Sequence, residues 1–364
     1  MRQLSIVALP GDGIGEEVVG SALQVLEAAG ELHGIALNVE KVDGGAARYR
    51  REGKVCTEAD FNLCRSADAI LLGALGLPDV LLPDGTEAGP DLQFRLRFEL
   101  ELFAGVRPVR LWPGIPSPLR DPAGLDLTII RENTEGLYAS RGGGAVVAGR
   151  AATDTLVMTA EGVDRVCRYA FEYALSHPRD GEMPNVTSVD KSNVLRSYAF
   201  WRRRFDSIAA EYAGRVEARH VYVDAFTALL VLQPGAVHVA VAENMFGDII
   251  SDLSGALVGS LGLAPSADVG SRHAVFQPAH GSAPTIAGKG VANPAATILS
   301  AAMLAEWVGE DGLARDIEQA IAATLAAPSG RTRDVGGRAA TQSVTELVIQ
   351  ALEGPDPGKP ATLG

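Results

Sequence analysis

The sequence has few cysteines, a deficit of basic residues and no long hydrophobic run. Its three cysteines, Cys56, Cys64 and Cys167, are an odd number without metal-site spacing, so a disulfide framework is disfavoured and reduced thiols are expected. Lysine and arginine number 32 against 45 acidic residues, a formal net charge of -13, which argues against nucleic-acid binding because that needs a basic surface. The apolar stretch at residues 4–9 is too short for a signal peptide or a membrane span. We therefore expect a soluble, cytoplasmic protein with neither a nucleic-acid nor a membrane partner.

The chain has 364 residues, 47% of them hydrophobic, which is enough for a large core in two domains or one oversized domain. Short β-branched runs alternate with long amphipathic segments, the pattern of an α/β fold. The predicted strands cover residues 4–9, 69–72, 126–130, 186–189, 218–223 and 237–241. The predicted helices cover residues 16–29, 161–176, 197–212 and 293–308. Asn293 is expected to cap the last helix, with Pro294 as its first residue, and segment 354–364 is expected to fray.

A glycine-rich turn, Gly11-Asp12-Gly13-Ile14-Gly15, stands between a predicted strand and a predicted helix, where a dinucleotide fingerprint would lie. Its spacing differs from G-x-G-x-x-G, and no acidic residue ends a second strand about 20 residues later. We interpret it as a tight turn that brings the helix close to the strand. An ordinary Rossmann site is not predicted.

Asp248 and Asp252 are two carboxylates four residues apart, at a predicted helix start behind a buried strand. Residues at i and i+4 share one helix face, so both side chains can reach the same object. Oxygen ligands of this kind suit a hard divalent ion such as Mg²⁺ or Mn²⁺. The alternative is a solvated helix start, where acidic residues are favoured by the helix dipole.

Three arginines are candidates for binding anions. Arg97 lies in a helical pattern, Arg107 precedes a proline, and Arg131 closes an apolar strand. The guanidinium fork grips carboxylates bidentately and keeps its charge in proteins. Taken singly, each is equally explained as a surface or salt-bridge arginine.

Three further polar residues follow predicted strands. Tyr138 lies in a polar turn and can donate a proton, Lys191 follows a strand and can act as a base, and Asp224 is a third carboxylate at a strand end. The alternatives are a tyrosine packed on the core and a lysine whose charged end reaches solvent.

Taken together, these motifs resemble the β-decarboxylating dehydrogenases, which include isocitrate, 3-isopropylmalate, homoisocitrate and tartrate/D-malate dehydrogenases. The most specific segment is 244–252 (Asn-Met-Phe-Gly-Asp-Ile-Ile-Ser-Asp), with 280–284 (His-Gly-Ser-Ala-Pro) and 288–294 (Gly-Lys-Gly-Val-Ala-Asn-Pro) behind it. The resemblance implies an α/β fold of the isopropylmalate/isocitrate dehydrogenase type, with two domains and a large mixed sheet. It implies a larger, discontinuous cofactor-binding domain at 1–103 and 257–364, and a smaller domain at 104–256 with substrate and metal residues and the dimer interface.

The resemblance implies oxidation of a (2R)-hydroxy acid with NAD or NADP, followed by removal of the β-carboxylate. The arginines that would hold the substrate carboxylates are Arg97, Arg107 and Arg131. The Mg²⁺ or Mn²⁺ ligands would be Asp248 and Asp252, with Asp224 from the second subunit. Lys191, also from the second subunit, would be the base and Tyr138 the acid, so an obligate homodimer with shared active sites is expected.

The cofactor loop implied by the resemblance comprises His280, Gly281, Ser282 and Ala283, with Asn293 reaching the adenine. NAD-using members carry an acidic residue after the proline of this loop, and NADP-using members carry a lysine and a tyrosine. This chain has Thr285-Ile286 there. NAD is predicted because the cationic pair is missing, with weak discrimination because the acid is missing too.

The substrate is expected to be a malate derivative. Gln93 stands where isocitrate enzymes have asparagine and isopropylmalate enzymes have leucine, and Asp91 would repel the distal carboxylate of isocitrate unless Arg95 compensates. A 3-alkylmalate such as 3-isopropylmalate is ranked first, D-malate or tartrate second, and isocitrate or homoisocitrate third. A non-catalytic regulatory paralogue is the alternative outside the enzymes, and it is disfavoured because all the implied catalytic and metal residues are present.

Overall fold

The computed structural model describes residues 2–141, 143–179 and 181–354, so the predicted frayed tail lies almost entirely outside the described residues. Twelve strands occur in this part of the chain: β1 Arg2–Gly11, β2 Ile35–Lys41, β3 Ala69–Ala74, β4 Ala104–Arg110, β5 Asp126–Glu132, β6 Ala145–Val147, β7 Ala151–Thr153, β8 Asn185–Asp190, β9 Glu217–Tyr222, β10 Val239–Ala242, β11 Pro265–Val269 and β12 Ala274–Pro278.

Eleven α-helices accompany the described strands: α1 Gly15–His33, α2 Ala46–Glu52, α3 Glu58–Ser66, α4 Pro90–Glu99, α5 Ala160–Ser176, α6 Arg196–Ala209, α7 Val223–Leu232, α8 Asn244–Leu257, α9 Ala295–Trp307, α10 Asp311–Ala326 and α11 Thr341–Glu353. Within the described ranges, no helix is long and apolar enough to cross a membrane.

Ten strands form one mixed sheet in the order β2-β1-β3-β12-β11-β4-β5-β10-β8-β9, and β6 and β7 form a separate hairpin. Two blocks of four parallel strands, β2-β1-β3-β12 and β5-β10-β8-β9, run in opposite directions. The antiparallel strands β11 and β4 join them. This order differs from the Rossmann arrangement, so the prediction of a large mixed sheet of another α/β type is confirmed.

Both faces of the inner strands of the sheet are buried, as expected for strands covered by helices, whereas the edge strands β2 and β9 are partly exposed. Ile6 of β1 packs on the first face in a core shared with α1, α5, α6, α9, α10 and α11. Its neighbour Val7 packs on the second face with α3 and α4. Over the other block, Ile129 of β5 packs on this second face with α7 and α8. Arg107, Arg131 and the site described below belong to the second face, because their strand neighbours Val106 and Ile130 belong to the first.

The predicted strands and helices are all present, with small differences at their ends. The largest difference concerns the helix predicted at 16–29, which extends to His33. The helix predicted at 293–308 begins at Ala295, with Pro294 as the flanking residue. The Asn293 carboxamide oxygen accepts a hydrogen bond from the Ala295 backbone N–H (3.1 Å). Asn293 therefore contributes to the helix start from one position further out than predicted.

The glycine turn has the predicted structural role. A Cβ on Gly15 would lie 1.9 Å from the Pro10 carbonyl oxygen, so only glycine allows α1 to approach β1 this closely. Gly13 has a φ of 59° and faces the Ser282 carbonyl, which also accepts a hydrogen bond from Ile14 N–H (2.8 Å). The turn is thus attached to the predicted cofactor loop, a contact that its sequence did not reveal.

Candidate active site

Three buried arginines lie together on the second face of the sheet. Arg97 stands near the end of α4, Arg107 in β4 and Arg131 in β5, with exposed fractions of 2%, 6% and 3%. The antiparallel pairing of β4 with β5 places Gly105 opposite Arg131. Burial, and then the positive charge of Arg97, lowers the pKa of Arg131 to about 10. The predicted arginine cluster is therefore assembled within one chain.

Two of these arginines have partners and one does not. Arg97 donates to Asp268 through Nε (2.8 Å). Arg131 donates to the Asn244 side-chain oxygen through Nη2 (2.8 Å) and Nε (3.1 Å), and through Nη1 to Asp248. The guanidinium of Arg107 forms no hydrogen bond or ion pair with any described residue, and its Nε is buried without a partner. A buried cation without a partner is costly, which is the expected signature of a site for an anionic ligand.

Asp248 and Asp252 lie in α8, which begins directly after β10. Glu243 caps the helix by accepting hydrogen bonds from the N–H groups of Phe246 (2.9 Å) and Met245 (3.2 Å). The pKa of Asp252 is raised, first by partial removal from water and then by the negative charge of Asp248. Two crowded carboxylates of this kind are stabilised in their charged form when a cation lies between them.

The donor set fits a hard divalent cation but is incomplete in one chain. Asp248 and Asp252 supply carboxylate oxygens, the ligand type that Mg²⁺ and Mn²⁺ prefer. Among the described residues, no group of three or more His, Cys, Asp or Glu side chains is arranged to hold a metal ion. The third predicted ligand, Asp224, is therefore not grouped with the other two within the chain.

Tyr138 follows β5 in a short 3₁₀ turn and reaches the carboxylate pair. Its hydroxyl donates to Asp248 Oδ2 (3.1 Å), and the Arg131 guanidinium carbon lies 5.5 Å from the ring centroid. Phe94 packs edge-on against the ring, with the centroids 6.2 Å apart. Burial and the charge of Asp248 raise the pKa of Tyr138, so the phenol keeps its proton at neutral pH. The structure thus brings the predicted acid to the predicted metal and substrate residues.

Lys191 and Asp224 form a second cluster. Lys191 follows β8, Asp224 lies in the first turn of α7, and the Lys191 ammonium donates to the Asp224 carboxylate. That hydrogen bond lowers the pKa of Asp224. In the described chain neither residue forms a hydrogen bond or ion pair with the arginine cluster or with Asp248. The two predicted second-subunit residues therefore pair with each other and not with the other site residues of their own chain.

The predicted cofactor loop borders a cavity of about 530 Å³, whose walls include His280, Gly281, Ala283 and Asn293. The Nδ1 of His280 is 3.0 Å from the Gly281 carbonyl oxygen. Burial lowers the pKa of His280, so its imidazole is neutral, and its buried Nε2 is an acceptor without a partner. An orphaned acceptor on the wall of such a cavity fits a ligand that carries an N–H donor.

Other features of this cavity were not predicted. Ser282 is buried, and its hydroxyl donates to the Gly76 carbonyl, so its side chain anchors the loop. Asp334 lies on the cavity wall and accepts hydrogen bonds from Asn293 Nδ2 (3.0 Å) and the Ser260 hydroxyl (2.6 Å). Asn293 is therefore held by Asp334, about 40 residues further along the chain, a contact without a local sequence signal.

In the segment expected to recognise the substrate, Asp91 pairs with an arginine that was not predicted. Arg95 donates to Glu99 Oε1 (2.7 Å) and Glu58 Oε1 (2.5 Å). Asp91 is instead accompanied by Arg141, whose Nη1 lies 2.8 Å from Asp91 Oδ1. The charge that offsets Asp91 thus comes from the turn after Tyr138 and not from Arg95.

Asp268 is the main site residue that sequence reasoning missed. It lies in the buried strand β11, has an exposed fraction of 1%, and accepts hydrogen bonds from Asn133 Nδ2 (2.8 Å) and Gln277 Nε2 (3.0 Å) as well as from Arg97. Burial opposes its ionisation, but the charges of Arg97 and Arg107 hold the pKa of Asp268 below its usual range. A lone acidic residue in an apolar strand was the available signal, because buried charges require partners.

Fold and site together define an α/β enzyme scaffold with a buried anion site and an adjacent carboxylate pair. The model of the isocitrate/isopropylmalate dehydrogenase family matches residues 5–350. The chain is 42% identical to a 3-isopropylmalate dehydrogenase of Corynebacterium kroppenstedtii, over 93% of this chain and 98% of that protein. Two solved structures are similar: isocitrate dehydrogenase of Methylococcus capsulatus (TM-score 0.86, 33% identity, 97% and 99% of the two chains) and a β-decarboxylating dehydrogenase of Thermococcus kodakarensis (0.76, 37%, 97% and 96%).

The protein belongs to the isocitrate/isopropylmalate dehydrogenase family. The predicted family, fold and enzyme class, a β-decarboxylating dehydrogenase, are confirmed. Its similarity to relatives named 3-isopropylmalate dehydrogenase favours that branch of the family.

Proposed function

We propose that this protein catalyses the NAD-dependent oxidative decarboxylation of a (2R)-hydroxy acid of the 3-substituted malate type, with 3-isopropylmalate as the first candidate. The observation that carries the proposal is Arg107, a buried guanidinium without a partner among the described residues, in a cluster with Arg97 and Arg131 and close to Asp252. A small anion with two carboxylates would supply the missing acceptors. The names of the relatives support the 3-isopropylmalate assignment.

In this proposal Arg97, Arg107 and Arg131 bind the substrate carboxylates. Arg107 has its whole fork available, whereas Arg97 and Arg131 are oriented by Asp268 and by Asn244 and so present fixed donors. Fixed donors lower the cost of aligning the substrate before reaction.

Asp248 and Asp252, with Asp224 of a second copy, would hold Mg²⁺ or Mn²⁺. When bound, the cation would supply Lewis-acid stabilisation of negative charge on the substrate oxygens. Asp248 also orients the Tyr138 hydroxyl, which keeps its proton and can deliver it to the carbon that loses the carboxylate. Lys191 of the second copy, as the neutral amine, would accept the proton of the substrate hydroxyl, directly or through water.

The proposed cofactor site comprises His280, Gly281, Ser282, Ala283 and Asn293. The free Nε2 of His280 suits the amino group of adenine, and Ser282 fixes the loop. We propose NAD in preference to NADP because neither Thr285 nor Ile286 offers a cation to a 2'-phosphate.

We also propose that the active form is a cytoplasmic homodimer whose active sites combine residues of both chains. The pairing within one chain supports this arrangement, since Lys191 and Asp224 form no hydrogen bond or ion pair with Asp248 or the arginines among the described residues. We further propose that the chain divides into two domains at residues 103–104 and 256–257, and that the smaller domain supplies the dimer contact. The three cysteines are buried free thiols, which suits a reducing compartment.

Mixed dimers of Lys191→Ala and Asp248→Asn test whether each active site combines residues of both chains. If the site is shared, co-expression should restore about a quarter of wild-type activity, because random pairing makes half the dimers mixed and each mixed dimer has one intact site of two. If both residues serve the same chain, every site is defective and no activity returns. Each variant expressed alone is the control and should be inactive, and retained turnover by Lys191→Ala would remove the proposed base.

The substrate is tested by following NADH and NADPH formation with Mn²⁺ on five acids: 3-isopropylmalate, D-malate, tartrate, isocitrate and homoisocitrate. We expect chelator-sensitive turnover of 3-isopropylmalate with NAD. Faster turnover of D-malate or tartrate would move the protein to that branch. No turnover of any of the five acids would contradict the proposal and favour another malate derivative as substrate, or a regulatory paralogue.

A further inference from the structure

Asp268 is an ionised carboxylate inside a cluster of cations that must bind an anion. Its two oxygens accept four hydrogen bonds, from Arg97 Nε (2.8 Å) and Nη2 (3.4 Å), Asn133 Nδ2 (2.8 Å) and Gln277 Nε2 (3.0 Å). All four donors come from other elements of the fold, and the carboxylate is 1% exposed. The group is thus fully satisfied and held in one orientation.

The contacts of Asp268 determine how Arg97 can be used. They occupy Nε and Nη2 of the guanidinium, and Nη1 of Arg97 forms no hydrogen bond with any described residue. Because the guanidinium is planar, fixing one edge of it also fixes the direction of the remaining N–H groups. Asp268 therefore sets which edge of Arg97 is offered to a ligand.

Asp268 also sets the charge of the cluster. Its carboxylate forms an ion pair with Arg97 (Nε to Oδ2, 2.8 Å), and the charges of Arg97, Arg107 and Arg131 all act on it. With Asp268 ionised, the three arginines and this carboxylate together carry two net positive charges, which one dianionic substrate can balance. Without it, the same volume would hold an excess of unbalanced positive charge.

We propose that Asp268 is a positioning residue for substrate binding: it orients Arg97 toward the substrate carboxylate and balances the charge of the arginine cluster. The inference rests on the proposed function, because it assigns Asp268 to the site that binds the hydroxy-dicarboxylate. It assigns no chemical step to Asp268, which acts through Arg97.

Gln277 makes the proposal testable by relocation of the charge. Its Nε2 and Arg97 Nε donate to the same oxygen of Asp268, so a carboxylate at position 277 would stand beside both position 268 and Arg97. Asp268→Asn replaces the carboxylate with an amide at a point where N–H donors converge, and it removes the negative charge. The double variant Asp268→Asn with Gln277→Glu keeps the number of non-hydrogen atoms and places one carboxylate near Arg97 again.

The experiment measures kcat and KM for 3-isopropylmalate and for NAD, and calorimetric binding of 3-isopropylmalate without NAD. For Asp268→Asn we expect the KM and the Kd of the acid to rise about tenfold to hundredfold, the range for loss of a charged hydrogen-bond arrangement, with the KM of NAD nearly unchanged. The double variant should recover most of that loss. Asp164→Asn is the matched control, because Asp164 pairs with Arg204 (Nε to Oδ1, 2.7 Å) away from the site, and its KM values should not change.

The outcomes separate the two proposals. A folded Asp268→Asn variant with wild-type KM and Kd for the acid would overturn the positioning role, even if its melting temperature fell. If the single variant does not fold, the folded double variant decides: near-wild-type KM supports the role, and lost binding overturns it. A wild-type protein that neither binds nor turns over any of the five acids would instead contradict the proposed function.

Discussion

At the residue scale, three arginines of similar burial differ in their partners. Arg97 is paired with a fully buried carboxylate, Arg131 with a carboxamide and a half-buried carboxylate, and Arg107 with no described residue. Burying a charge costs free energy that a good partner offsets. The three side chains should therefore make unequal contributions to stability.

This difference predicts stability effects of different size for two substitutions that both abolish turnover. Arg97→Met leaves Asp268 buried without its cation and should lower the free energy of unfolding by about 3–5 kcal/mol. Arg107→Met replaces an unpartnered buried cation with an apolar chain and should change the free energy of unfolding by about 1 kcal/mol or less, in either direction. Urea unfolding of both variants is the measurement. Equal destabilisation by the two would contradict the assigned partners.

At the element scale, the site depends on how closely α8 approaches β5. A Cβ on Gly247 would lie 2.7 Å from Arg131 Cγ and 3.1 Å from Arg131 Cα, so the contact involves backbone as well as side chain. The same approach lets Arg131 reach Asn244 and Asp248 on α8. Gly247 thus links the packing of one helix to the geometry of the site.

We expect Gly247→Ala to lower the free energy of unfolding by about 1–3 kcal/mol, because α8 must shift away from β5 to admit the methyl group. The same shift should lower activity by displacing Asp248 from Arg131. Gly20→Ala in the interior of α1 is the control: its Cβ would meet no atom within 4 Å, so it should raise stability by about 0.5–1 kcal/mol. Thermal unfolding and kcat measurements distinguish the two, and a harmless Gly247→Ala would contradict the close packing.

At the scale of the whole molecule, one ion pair connects helices that cover different blocks of the sheet. His177 follows α5 and Glu306 lies in α9, and His177 Nε2 is 2.9 Å from Glu306 Oε1. His177 also stacks on Tyr173, with ring centroids 4.0 Å apart. Both residues border a cavity of about 720 Å³ on the first face of the sheet, opposite the arginine cluster. The pair lies across the proposed boundary between the two domains.

This pair predicts a pH-dependent contribution to stability. Burial opposes protonation of His177, but the Glu306 hydrogen bond raises the pKa of His177 above 6.5, and His177 lowers the pKa of Glu306 below 4.5. The histidine contribution is complete below pH 6.5 and is lost as the pH rises through its folded-state pKa. The glutamate contribution is present above pH 4.5 and is lost as the pH falls through its folded-state pKa.

His177→Gln should therefore lower the free energy of unfolding most between about pH 4.5 and 6.5, and less at pH 8.5. The pH-dependent part should be about 0.5 kcal/mol, because both groups are partly screened by solvent. Unfolding free energies at pH 5.5 and 8.5 measure it. Glu306→Gln should show the same pH dependence, without the pH-independent cost of losing the stack on Tyr173. A constant cost for His177→Gln at both pH values would show that the pair is not formed.

Much of the site was predictable because its residues lie at places that local pattern defines. Arg131, Lys191 and Asp224 lie in or directly after strands that the sequence already indicated, and Asp248 lies just inside a helix that follows such a strand. Parallel strands of one block bring their carboxyl ends to the same edge, so proximity of such residues was a reasonable expectation. The start of α9 was predicted too early, because the Asn293 side chain bonds to the helix from outside it.

The sequence by itself determined the alternation of strands and helices, the family, and the set of candidate ligands, since these depend on short-range periodicity and on motifs within a few residues. Only the tertiary structure decided which partner each buried charge receives. Arg97 and Asp268 are 171 residues apart, and their contact exists because β11 pairs with β4 in a particular register beside the end of α4. Local pattern does not specify which distant strands pair, because the free energy that selects the pairing comes from burying both faces of the whole sheet at once.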